Sequence, residues 1–143
     1  MKVSTLVILL LLLVVPTVGL AQVISGVMHN WTITERNPND ERQYNVVVFE
    51  FHHDTSQHVI LTQTGTCVHG TERQQASFTI PVEIDIPSKV IIVKEEGRAV
   101  SSDYGWDCTA QFPAGEYPYR IEDSQLVLTI HGGQEVRLDR VTK

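Results

Sequence analysis

Residues 43–66 read QYNVVVFEFHHDTSQHVILTQTGT. Gln43–His52 is rich in β-branched and aromatic residues, and its apolar positions recur every second residue rather than every 3.6. Val47, Phe49 and Phe51 share one face, while Val46, Val48 and Glu50 share the other. His53–Gln57 is a polar turn cluster, and His58–Thr66 returns as a second extended run. Two alternating runs around a short polar turn predict an antiparallel β-hairpin.

The same period continues outward in both directions. Val27–Arg36 is an earlier strand, separated from the hairpin by the turn residues Asn37-Pro38-Asn39-Asp40. Thr71–Gln75 is polar and reads as a loop. Ala76–Ile86 is extended, with Phe78, Ile80, Val82, Ile84 and Ile86 in one phase. Pro81 stands in the other phase and argues for an edge or a bend. Pro87-Ser88 turns the chain into Lys89–Lys94, and Glu95–Gly105 is the longest irregular connection. Asp107–Phe112, Glu116–Ile121, Gln125–His131 and Glu135–Arg140 complete the set. Gly132-Gly133 between the last two is a tight hairpin turn, since both positions want positive φ. No amphipathic helix appears after the N-terminal apolar run. About eight or nine strands in sequence predict an all-β antiparallel meander, and closing it into a barrel removes its exposed edges.

The N-terminus supplies the compartment. Lys2, the apolar run Leu6–Val15, Pro16 and the small residues Gly19 and Ala21 form a secretory signal, residues 1–21, with cleavage after Ala21. The apolar run is shorter than the ~20 residues of a comfortable membrane span. Residues 22–143 then form one secreted domain, extracellular or periplasmic. Without Lys2, 10 Lys and Arg remain against 17 Asp and Glu, a formal charge of −7. That charge and the lack of a basic cluster argue against nucleic acid as a partner.

Cys67 and Cys108 are the two cysteines. In an oxidising compartment an even pair predicts a disulfide, which here ties the third strand to the sixth at one rim. The rival architecture is an immunoglobulin-like sandwich, also all-β with one disulfide. It calls for a Tyr two residues before the second Cys, where this chain has Trp106, and for a Trp in the strand after the first Cys, which is absent.

The C-terminal stretch YPYRIEDSQLVLTIHGGQEVRLDRV resembles the closing strands of small secreted lipocalin-like (calycin) domains, through Tyr119, Ile121, Leu126, Leu128, Gly132, Gly133, Leu138, Arg140 and Val141. The hairpin VVVFEFHHDTSQHVIL is similar to the F-x-F-x-x-D-G hairpin of that family, with Thr55 where Gly is usual. The family's opening Gly-x-Trp is not reproduced, because Gly26 and Trp31 are five residues apart. The resemblance implies a lipocalin-like barrel with Trp31 as a plug at its bottom, and it implies no particular ligand.

For chemistry, His52, His53, His58 and His69 with Asp54 are the residues suited to zinc or copper, but His52 and His53 fall on opposite strand faces. No nucleophile elbow or Gly-x-Ser-x-Gly occurs. The sequence therefore predicts a non-catalytic protein with no cofactor and no metal. A binding barrel would take a small apolar or amphipathic molecule against Val47, Phe49, Phe51, Leu61, Phe78, Ile92, Leu126 and Leu128. Tyr104 and Trp106, in the loop beside Cys108, would cap that cavity or meet a protein partner. The latter gives the alternative reading, an interaction or inhibitory domain acting through rim loops. Asn30-Trp31-Thr32 matches the N-glycosylation pattern, and its position in a strand beside Trp31 predicts poor access.

Overall fold

The computed structural model describes residues 26–142. Residues 1–21, where a secretory signal is expected, lie outside them. Eleven strands build the fold of the described residues: β1 (Asn30–Arg36), β2 (Gln43–His53), β3 (Val59–His69), β4 (Glu72–Pro81), β5 (Glu83–Asp85), β6 (Val90–Val93), β7 (Gly97–Ser101), β8 (Cys108–Phe112), β9 (Gly115–Glu122), β10 (Gln125–Thr129) and β11 (Glu135–Arg140).

Nine of them form one antiparallel sheet in the order β4-β3-β2-β1-β11-β10-β9-β6-β5, and β7 and β8 form a separate ribbon. The sheet is a curled half-barrel. Its first and last strands in sequence bond to each other, Trp31 opposite Arg140 and Thr32 opposite Asp139. Its two end members, β4 and β5, are one chain segment broken only at Val82, whose N–H donates to the carbonyl of Val59 at 3.0 Å. Pro81 closes β4 at that break. A residue without an N–H suits the end of a terminal strand, so the expected edge and the expected bend coincide.

The turns follow from their residues. Asp54 Oδ1 accepts from the backbone N–H of Ser56 at 2.8 Å and of His58 at 2.9 Å, which organises the β2–β3 connection. Gly132 and Gly133 have φ of 87° and 80°, as the tight β10–β11 turn requires.

Strand alternation then sends Trp31, Phe49, Phe51, Leu61, Ile80, Ile91, Tyr117, Leu126, Leu128 and Leu138 into one core on the concave face. The convex face is polar around a few valines, of which Val127 is buried between its cross-strand partners Arg120 and Arg137. On β9–β11, Arg120 donates to Glu135 at 2.6 Å and to Glu122 at 2.9 Å, and Arg137 donates to Glu122 at 2.7 Å. The hydrogen bonds from Arg120 and then Arg137 hold the Glu122 carboxyl down at about 2. These groups are water-exposed, so the lattice is screened by salt.

Four sequence expectations are corrected. Glu72–Gln75 is strand, not loop: these polar residues pair with Thr66–His69 of β3, and backbone pairing needs no apolar side chain. Ala76–Ile86 is two strands, split at Val82. The irregular segment Glu95–Gly105 contains β7, whose Gly97-Arg98-Ala99-Val100-Ser101 carries no apolar phase because Val100 faces water. Ile92 does not face the interior: Ile91 and Val93 do, and alternation puts Ile92 outside. The N-glycosylation motif is corrected too. Trp31 points in, so its neighbour Asn30 points out and is exposed.

The β7–β8 ribbon lies across the concave face. Phe78 of β4 packs where Gly97 has no side chain, and a Cβ there would stand inside the phenyl ring. The Cys67–Cys108 disulfide, with Cα atoms 5.8 Å apart, fixes β8 to β3.

Candidate functional site: an apolar cleft on the concave face

Where β8 ends, Phe112 and Pro113 overhang the concave face and leave a cleft of about 300 Å³. Its deep wall is Phe49, Gln63, Phe112, Tyr117, Leu128 and Leu138, all buried. Phe112 meets Phe49 edge-on at 5.8 Å between ring centroids, and its other neighbour is Tyr117 at 4.7 Å. The Tyr117 hydroxyl donates to the carbonyl of Pro113 at 2.6 Å, so the overhang and the wall are tied to each other. Burial pushes the Tyr117 phenol further up from its ordinary value. Val47, Ile33, Ile130 and Val136 are half-buried along the sides. The mouth is polar, with Glu35, Gln111 and His131 exposed.

The sequence-predicted wall residues fall into three groups. Val47, Phe49 and Leu128 line the cleft. Phe51, Leu61 and Leu126 face the same interior but are filled core. Phe78 is half-buried beneath β7, apart from the cleft. Tyr104 and Trp106 lie in the β7–β8 turn. Trp106 stacks on His69 at 3.7 Å and on Tyr104 at 6.2 Å, and its indole N–H donates to Glu72 at 2.6 Å. Tyr104 is half exposed.

That turn is pinned by a buried amide. Gln74 donates to the carbonyl of Trp106 at 2.7 Å, and its Oε1 accepts from the Asp103 N–H at 2.9 Å and the Ser101 hydroxyl at 3.0 Å. No family model, curated protein or solved structure matches the chain. The cleft is therefore read from its own residues.

The histidines do not converge. His53 is within 3.2 Å of the Gln57 carbonyl and His58 within 3.7 Å of Asp54, at the β2–β3 turn. His69 lies at the far end of β3, about 35 Å along an extended strand. Among the described residues no group of three His, Cys, Asp or Glu side chains is placed to hold a metal ion. Among the described residues no helix is long and apolar enough to cross a membrane.

Residues missing from the sequence reading are Gln63, Phe112, Tyr117, Val136 and Leu138. Gln63 had a legible signal: it is a polar residue in the inward phase of β3, between Leu61 and Gly65. The others depend on where β8 crosses the sheet, which is a non-local fact.

Proposed function

We propose that this chain is a secreted, non-catalytic, lipocalin-like binding protein whose concave cleft takes one small apolar or amphipathic molecule. The cleft itself carries the reading. Its size stands at the lower end of ligand sites, and apolar walls with a few polar groups are the usual composition of such sites. The secretory segment at residues 1–21 and the disulfide agree with work outside the cytosol.

Native mass spectrometry of the protein purified from its host is expected to show a bound small molecule. An apolar fluorescent dye should bind the emptied protein, and Val47→Trp, which fills the cleft, should weaken the dye about tenfold or more. A strictly apo mass, with no dye binding, overturns the proposal.

One observation favours a second reading, a protein-interaction or inhibitory domain acting through the rim. Tyr104 is half exposed on an aromatic stack that Gln74 and the disulfide hold in place. The same experiment separates the two. A rim-acting domain carries no small molecule, and filling the cleft leaves its partner binding unchanged.

A further inference from the structure

Two buried side-chain polar atoms have no hydrogen-bond partner among the described residues, Gln63 Oε1 and the Tyr119 hydroxyl. Tyr119 does not line the cleft. Gln63 does, and it is only 5 % exposed. Its orientation is fixed from the other end, because Nε2 donates to the carbonyl of Gln111 on β8 at 3.3 Å. The amide oxygen is thus an unpaired acceptor on a residue of the wall, beside apolar side chains and the Tyr117 phenol, and it is closed off from water. Burying such an oxygen unpaired is costly, and a ligand donor would remove the cost.

The geometry points to a ligand with an apolar body and a neutral hydrogen-bond donor, a hydroxyl above all, that meets Gln63 Oε1 as the cleft wall shifts to admit it. This rests on the binding function proposed above and specifies the ligand class. An anionic head is disfavoured. The charged and titratable groups on the cleft are Glu35 and His131 at the mouth and the Tyr117 phenol in the wall, and neither Lys nor Arg lines it. A cationic head is disfavoured at depth, since an ammonium beside Phe49, Phe112 and Leu128 would lose its hydration for one neutral acceptor. The overhang matters as well, for the Gln63–Gln111 bond couples the acceptor to the strand that roofs the cleft.

The test uses the whole mature chain and three probes built on a ten-carbon chain: 1-decanol, decyl methyl ether and decanoate, titrated by competition against an apolar dye. The wild-type protein is expected to bind the alcohol about five- to tenfold more tightly than the ether, the worth of one hydrogen bond. Decanoate should bind more weakly than the alcohol. In Gln63→Leu, and in Gln63→Met as a more flexible replacement, the alcohol and ether should become equal. Equal binding of alcohol and ether by the wild-type protein overturns the inference while leaving the cleft as a binding site. So does a preference that survives both substitutions, or a preference for decanoate. Failure of every probe and of the dye overturns the binding function itself. The alcohol–ether comparison in the wild-type protein stands even if both variants misfold.

Discussion

Replacing Trp31 by Ala is expected to lower the unfolding free energy by about 3–5 kcal/mol, the range for removing a large buried aromatic. Trp31 is 1 % exposed. Its backbone pairs with Phe49 on one side and Arg140 on the other, so it stands on the seam where the first and last strands meet. Its indole N–H donates to the carbonyl of Val27 at 3.0 Å, which anchors the chain entering β1. The cavity left by Ala would therefore loosen both the seam and the N-terminal approach. Trp31→Phe should fall between, keeping most of the apolar contact and losing the hydrogen bond. Urea unfolding followed by far-UV circular dichroism measures both variants. A loss below about 1 kcal/mol for the Ala variant would contradict the placement of this ring in the core.

The second large effect is at the disulfide. Cys67 and Cys108 are 41 residues apart, and closing a loop of that length restricts the unfolded chain by about 4 kcal/mol. The Cys67→Ala, Cys108→Ala double variant should lose about that much stability. It should also change the cleft, since β8 carries Phe112 into the wall and leads into Pro113 of the overhang. Freed from β3 at Cys67, β8 keeps its pairing with β7, the Gln63–Gln111 bond, the Gln74 bonds to the turn that leads into it, and its packing. Dye affinity is thus expected to fall even under conditions where the variant remains folded. Unchanged stability and unchanged dye binding together would show that the ribbon is held in place without the disulfide.

Most of the sheet is legible because its strands are buried on one face and wet on the other. In β2 the alternation Val47, Phe49, Phe51 fixes both the period and the inward face. In β11 the run Glu135–Arg140 is bounded by a glycine turn, and the expected and observed limits agree. The illegible parts lack that asymmetry. β7 has a glycine, an alanine and a serine facing Phe78 or the rim, so no hydrophobic phase marks it. The first residues of β4 pair through their backbones with polar side chains on both faces, except that Gln74 turns inward to hold the β7–β8 turn.

The cleft is harder still. Phe49 and Phe51 have the same phase in the same strand, yet one borders open space and the other is filled core. Phase reports which way a residue faces. What it faces depends on where Phe112 and Pro113 arrive from some sixty residues later in the chain. Gln63 is the exception, because a polar residue in an inward phase is visible in the sequence and is either paired or waiting for a partner.

The measurement that bears most directly on the concave cleft as the binding site is a set of intermolecular nuclear Overhauser effects between 1-decanol and methyl-labelled protein. Contacts from the alkyl chain to the methyls of Val47, Leu128 and Val136 are predicted. Contacts confined to the rim around Tyr104 and Trp106, with the cleft methyls silent, would contradict it.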